Sequence, residues 1–211
     1  MVSATDPENN TTSYGYDEEG NQTSVTDPLS HMTTKTYDRI NRLTSVTEPD
    51  EGGATRTTSY TYDTADHLLT TTDPLSHTTT SAYDELGRLK QVTDPLGNST
   101  YSAYDGMGNT VKAKDAKGYE TAFAYSPNNF LTTVSDPAGG VTGYAYDKAG
   151  NRTSQTDALG QTTLYAYDEL NRLKEEKVDA GSGNYLLDRS YTYDKTDHVL
   201  TDTSSVGAIT N

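Results

Sequence analysis

Carboxylates and histidines are the residues of this 211-residue chain with the potential for chemistry. There are 31 Asp and Glu against 16 Lys and Arg, with four His and no Cys. Paired carboxylates could act as general acid and base, and His with Asp or Glu could hold a metal ion. The lack of Cys excludes a thiolate nucleophile, a disulfide and a cysteine metal site. The spacing of the carboxylates decides between chemistry and a structural role.

Eight aspartates directly follow a tyrosine, and these Tyr-Asp pairs recur at a nearly fixed interval. The interval is 21 residues, except for 25 before Tyr62 and 26 before Tyr193, and Tyr125-Ser126 fills the one gap. Such regularity is typical of a repeat architecture. An Asp at the start of a turn binds its own backbone, so we interpret these carboxylates as turn residues and predict no catalytic residue. The predicted structural repeat residues are Tyr16, Asp17, Tyr37, Asp38, Tyr62, Asp63, Tyr83, Asp84, Gly87, Tyr104, Asp105, Gly108, Tyr125, Tyr146, Asp147, Gly150, Tyr167, Asp168, Tyr193 and Asp194.

The four histidines also follow the repeat. His31 and His77 share one position, and His67 and His198 share another. The same positions hold Asn, Gln or Arg in other repeats, which a dedicated metal site would not tolerate. We therefore predict neither a metal site nor a cofactor site.

Two turns divide each repeat. Four residues after each repeat tyrosine stands Gly, Asn or Asp, the residues that best tolerate positive φ, which predicts a three-residue hairpin loop with a bulge. A second turn follows eleven residues after most of these tyrosines, as in Asp94-Pro95-Leu96-Gly97. We read Glu48-Pro49 as a variant of it, and 50–53 and 181–183 as lengthened loops.

The two turns imply two strands per repeat. Counting outward from the turn, Asp84 pairs with Arg88, and Tyr83 lies across from Leu89 on one face. The sequence thus predicts an all-β fold, in which tandem antiparallel hairpins form one wide sheet that curves or spirals. We expect residues 1–211 to be a single array of about nine repeats, truncated within a repeat at both ends.

The composition and the net charge limit the classes of molecule that the chain is expected to bind. Only 31% of residues are hydrophobic, the net charge is −15 and the pI is near 4.4. Phosphate binding needs clustered Lys and Arg, so nucleic acid is not expected as a partner. No apolar run approaches the length of a membrane helix, and residues 1–7 lack the apolar stretch of a signal peptide. The open sheet edges could instead support self-association.

The stretch YDELGRLKQVTDPLGNSTYSAYD, from Tyr83 to Asp105, closely resembles the Rhs/YD-repeat family. This family includes bacterial Rhs and wall-associated polymorphic toxins, shell subunits of insecticidal toxin complexes, and teneurins. The resemblance implies a secreted or cell-surface protein whose hairpins build the wall of a β shell, with further repeats and an enclosed toxin as partners. It carries over no catalytic residue, because the self-cleaving core segment of the family is absent.

Two other roles fit the same residues. The tyrosines and acidic turns could make an adhesion module that binds a carbohydrate or a protein. Alternatively, chains could pair edge to edge into a surface fibre. In each case we predict a protein that is not an enzyme.

Overall fold

The fold consists of short antiparallel strands joined by tight turns. The computed structural model describes residues 2–50, 52–179 and 185–205, and this part of the chain contains nineteen strands and no helix. No helix with the length and apolarity to cross a membrane occurs there. The chain divides into two compact units, Met1–Tyr101 and Ser102–Asn211.

In the first unit, each strand pairs with the next one along the chain. Its strands are β1 (Val2–Thr5), β2 (Thr11–Tyr16), β3 (Gln22–Thr26), β4 (Met32–Tyr37), β5 (Leu43–Pro49), β6 (Thr55–Tyr62), β7 (Leu68–Thr72), β8 (Thr78–Tyr83), β9 (Leu89–Thr93) and the start of β10 (Ser99–Tyr104).

The second unit repeats this order. It contains β11 (Thr110–Lys114), β12 (Glu120–Tyr125), β13 (Leu131–Ser135), β14 (Val141–Tyr146), β15 (Arg152–Thr156), β16 (Thr162–Tyr167), β17 (Leu173–Asp179), β18 (Tyr185–Tyr193) and β19 (Val199–Ser205). The predicted all-β class of tandem antiparallel hairpins is confirmed.

Both kinds of turn share one backbone geometry. In the Tyr-Asp turn at Asp84, the Asp84 N–H donates to the Arg88 carbonyl (2.9 Å), and the Gly87 N–H donates to the Asp84 carbonyl (3.0 Å). Gly87 has a φ of 75°. The Asp-Pro turn at Asp94 is built in the same way, with Gly97 at a φ of 85°. All nine fourth positions predicted to take positive φ do so: Gly20, Asn41, Asp66, Gly87, Gly108, Asn129, Gly150, Asn171 and Asp197.

The prediction for the longer repeat before Tyr62 is wrong in two respects. Pro49 is the last residue of β5 and pairs with Thr55, so the turn starts at Asp50 and not at Glu48. That turn has the ordinary length, and the additional residues extend β5 and β6 instead. A Pro at a strand end gives up no ladder hydrogen bond, whereas the Asp50 carboxylate binds the turn amides as in the other repeats. The second predicted long loop, 181–183, lies outside the described residues.

A bulge follows the Tyr-Asp turn. Tyr83 pairs with Leu89 as predicted, but Ala82 pairs with Gln91, so Lys90 is an extra residue in β9. The same register shift occurs in eight hairpins of the described chain, seven with Tyr-Asp and one with Tyr125-Ser126. A bulge of this kind bends and twists the strand that carries it. The bulge at Lys90 is separate from the bulge predicted within the turn at Gly87, and the alternation of faces along the strands had not predicted it.

The hairpins bury very little. None of the described residues is buried, whether apolar or polar. The chain exposes 14303 Å², whereas a globular protein of its mass would expose roughly 9,600 Å². Polar contacts between neighbouring hairpins must therefore contribute more than they do in an ordinary domain.

Register is the property that a deletion tests best. Removing residues 83–103 joins Ala82 to Tyr104 and restores an equivalent repeat, so we expect a folded protein with a slightly lower melting temperature. Removing Val92 alone forces either a bulge or a flip of neighbouring side chains to the opposite face, and it should lower the melting temperature further. Thermal melting of both variants beside the parent, at equal concentration, makes the comparison. A milder effect for the loss of Val92 would contradict a register-locked array.

Candidate functional site

Each repeat tyrosine is the last residue of a strand, and the residue after it starts a turn. In the turn at Asp84, one carboxylate oxygen accepts the N–H groups of Leu86 and Arg88, both at 2.9 Å. The other oxygen accepts a hydrogen bond from Nε of Arg88 at 2.7 Å. The same set of three bonds occurs at Asp6, Asp27, Asp38, Asp63, Asp73, Asp94, Asp105, Asp147, Asp168 and Asp194. These aspartates stabilise their own turns.

The hydrogen bonds favour the ionised form of these carboxylates. The N–H of Arg88 lowers the pKa of Asp84, and the Arg88 side chain adds to this effect. For Asp147, the side-chain amide of Asn151 is the main cause of a lowered pKa. A general base for use near neutral pH needs a pKa near 7, so this shift is in the opposite direction from the one catalysis would favour.

The histidines occupy the fifth position of turns, where Nδ1 contacts the turn carboxylate. The distances are 2.9 Å from His31 to Asp27, 2.8 Å from His67 to Asp63 and 2.9 Å from His77 to Asp73. Within the described ranges, His, Asp and Glu form no group of three that could hold a metal ion. Each histidine therefore takes the place that Asn or Arg takes in another turn.

One open cleft of about 420 Å³ lies beside the long hairpin of the first unit. Asp27 and His31 bind each other in its wall, and Asp50 accepts the amides of its own turn. These groups already have structural roles. The residues lining the cleft are Val25, Asp27, His31, Thr33, Glu48, Pro49, Asp50 and Arg56.

The hydroxyl of the repeat tyrosine connects one hairpin to the previous one. It donates to a main-chain carbonyl, for example from Tyr83 to Leu68 (3.0 Å) and from Tyr167 to Arg152 (3.0 Å). Partial burial raises the pKa of Tyr62 and of Tyr167, which keeps these hydroxyls protonated. The other described examples are Tyr37 to Gln22, Tyr62 to Leu43, Tyr125 to Thr110 and Tyr193 to Leu173.

The carbonyl that accepts this bond lies beyond the end of a ladder. Between β7 and β8, the last paired residue on the tyrosine side is Thr70, two positions after Leu68. Leu68 therefore lies outside the paired residues of β7 and β8, and its carbonyl accepts a hydrogen bond from the Tyr83 hydroxyl. Backbone acceptors left without a partner cost free energy, which explains a tyrosine rather than a phenylalanine at this position.

The fifth turn residue covers the ring of the next repeat tyrosine. The guanidinium carbon of Arg42 lies 4.8 Å from the ring centre of Tyr62, within the range of a cation–π contact. His67 stacks on Tyr83 with ring centres 4.6 Å apart. Arg172 on Tyr193 and Phe130 on Tyr146 repeat the arrangement in the second unit. The sequence had indicated the tyrosine–leucine pairs but not these contacts between repeats.

The repeat tyrosines thus join consecutive hairpins of a tandem-repeat protein. The chain belongs to the RHS Repeat family, whose model matches residues 1–32, 16–52, 37–78, 83–121, 125–159 and 146–185. It is a structural repeat segment of that family. No curated protein matches the sequence.

Solved structures share the fold. The chain is similar to one in the crystal structure of TcdB2-TccC3-TEV, with a TM-score of 0.71 and 18% identity over 93% of this chain. A chain of a Photorhabdus luminescens Tc holotoxin pore with a TccC3 mutation matches with a TM-score of 0.72 and 19% identity over 94% of this chain. A chain of TcdB2-TccC3 without its hypervariable C-terminal region matches with a TM-score of 0.69 and 19% identity over 92% of this chain. This chain spans 11% of the length of each of these three chains.

Removal of a connecting hydroxyl should destabilise the protein. Tyr167→Phe leaves the Arg152 carbonyl without its donor, and we expect a cost of about 1 kcal/mol, or roughly 2–4 °C in melting temperature. Tyr144→Phe is the control, because Tyr144 lies two residues before a repeat tyrosine and its hydroxyl makes no hydrogen bond within the described chain. Equal melting temperatures for the two variants would show that the connecting bond contributes nothing.

The turn carboxylates predict a pH dependence. Because the folded pKa of Asp84 is lowered, its contribution is complete above the unfolded value of about 3.9 and is lost as pH falls through the folded value. Asp84→Asn should therefore lower the melting temperature at pH 7 and have a smaller effect near pH 2. Glu85→Gln removes the same charge from an exposed position in the same turn and serves as the control. An Asp84→Asn deficit equal at both pH values, or equal to that of Glu85→Gln, would refute this assignment.

Proposed function

We propose that this chain builds part of the wall of a β shell in a secreted or cell-surface protein, and that the shell encloses or presents a toxin or another C-terminal domain. The main support is the match of the RHS Repeat family over most of the chain. The similarity of fold to chains in Tc toxin structures agrees with it. A wall requires consecutive hairpins to be joined along their whole length, and the tyrosine hydroxyls make such connections.

The role we propose is not enzymatic. The aspartates and histidines that the sequence offers for chemistry bind turn amides or each other, and their lowered carboxyl pKa values suit a structural role. The expected partners are further repeats of the same protein and an enclosed domain. With a charge of −15, we expect neither nucleic acid nor a membrane as a partner. One uninterrupted array over residues 1–211 is part of the same proposal.

A binding role is the second candidate, and exposed leucines at the turn tips favour it. Leu96 and Leu159 are 88% and 94% exposed, and Leu29 and Leu75 are both 76% exposed. They share the third position of the second turn of the repeat. Large apolar side chains exposed in a recurring position are typical of a surface that contacts another molecule.

Protease protection in the full-length protein tests enclosure. We expect its C-terminal domain to resist a protease at concentrations that digest the same domain expressed alone. Mild denaturation that opens the repeats should remove the protection. Cryo-electron microscopy of the same sample should place the repeats in the wall of a closed shell.

Other results would support the alternatives. Equal digestion of the domain in both samples, with the repeats folded, would contradict enclosure. Capture on a glycan array that is lost in Tyr144→Ala and Tyr165→Ala variants would favour an adhesion module. Concentration-dependent growth in light scattering would favour a fibre.

A further inference from the structure

Two residues from consecutive turns that follow the repeat tyrosines meet at every junction described within a unit. We call them the junction pair: the fifth residue of one turn and the fourth, left-handed residue of the next turn. Nδ2 of Asn21 donates to Oδ1 of Asn41 at 2.8 Å, and Nδ2 of Asn151 donates to Oδ1 of Asn171 at 2.8 Å. Asn109 and Asn129 form the same bond. Three of the seven junction pairs are therefore Asn with Asn.

Two junction pairs are ionic. Nη1 of Arg42 lies 2.9 Å from Oδ1 of Asp66, and Nη1 of Arg172 lies 2.8 Å from Oδ1 of Asp197. The same nitrogens donate to the carbonyl of the first residue in the next turn, Asp63 or Asp194. An arginine in the fifth position of these turns is thus matched by an acidic fourth residue.

The remaining two pairs join a ring to glycine. A Cβ added to Gly87 would lie 2.5 Å from Nε2 of His67, and one added to Gly150 would lie 3.0 Å from Cζ of Phe130. Because each ring stacks on the next repeat tyrosine, it has little room to move away. A ring in the fifth position therefore requires glycine in the next turn.

Positive φ alone does not explain this matching. Asn, Asp and Gly all occur in the left-handed conformation at the fourth position, so the turn itself leaves the choice open. Gly97, in a second-type turn, has a φ of 85°, but nothing lies within 4 Å of an added Cβ. Gly97 is needed for conformation only, whereas Gly87 is needed for conformation and space.

We propose that the junction pair is a specificity-determining contact that decides which repeats can be neighbours. The partner that each turn recognises is a following hairpin with a matched fourth residue: Asn after Asn, and Gly after an aromatic ring. Asp follows Arg42 and Arg172, whereas the fourth residue that follows Arg88 in the sequence is Gly108. Repeats of similar sequence are prone to pair out of order or to swap between chains. Mismatched pairs penalise such arrangements by steric overlap or by an unmatched polar group, and so the junction pairs select the native order.

A double-mutant cycle on the complete chain tests the steric pair. Gly87→Asn in the parent should place a side chain against His67 and lower the melting temperature by roughly 2–10 °C more than the control Gly97→Asn does. In a His67→Asn background, the same Gly87→Asn change creates an Asn–Asn pair and should cost much less. The cycle thus separates the junction from the general cost of Asn at a left-handed position.

A second cycle in the other unit, Phe130→Asn with Gly150→Asn, should show the same rescue. This second cycle keeps the proposal testable if a variant of the first does not fold. Coupling of the same sign in the cycles that can be measured supports the proposal. If Gly87→Asn costs no more than Gly97→Asn, or if the cost at residue 87 or 150 is unchanged in the Asn background, the junction pairs do not select neighbours.

Discussion

The fold depends on satisfying backbone polar groups without a hydrophobic core. None of the described residues is buried, so the usual gain from removing apolar side chains from water is small. The aspartate of each turn binds two turn amides, and the repeat tyrosine binds the carbonyl beyond the end of the ladder. The bulge at Lys90 lies in the same hairpin, directly after Leu89, the residue that pairs with the repeat tyrosine Tyr83. Turn, bulge and tyrosine therefore act as one unit, which explains why Tyr and Asp recur together.

Local chemistry made the turns predictable. Gly, Asn or Asp at the fourth position identifies the turn after each repeat tyrosine, and Asp-Pro identifies most of the second turns. Counting outward from Asp84 gives the Tyr83–Leu89 pair. The error at Glu48-Pro49 came from reading Pro as a turn residue when the next Asp was the better turn start. The bulge at Lys90 was missed because one extra residue in a polar strand does not alter a composition pattern. The Tyr83 hydroxyl bond was missed because its acceptor is a main-chain carbonyl, which has no sequence signature.

The contacts between repeats do leave a signal in the sequence, but it lies in pairs of positions from consecutive repeats and not in any single position of the repeat. Comparing the fifth residue of one turn with the fourth residue of the next pairs Arg42 with Asp66 and His67 with Gly87, and both pairs are in contact. A repeat protein built from such nearest-neighbour contacts can be extended to any length without redesign of its interior. That property suits a wall, and the exposed turn tips offer apolar groups for contacts beyond it.

The heat capacity change on unfolding tests the lack of a core most directly. An ordinary domain of 211 residues gives roughly 2.5–3.2 kcal/mol/K, because unfolding exposes its buried apolar surface. For this chain we predict a value below roughly 2 kcal/mol/K, measured by calorimetry at several concentrations at which sedimentation shows a monomer. A monomer with a change in the ordinary range would mean that the hairpins fold around a hydrophobic core, and would contradict the polar, neighbour-to-neighbour stabilisation described above.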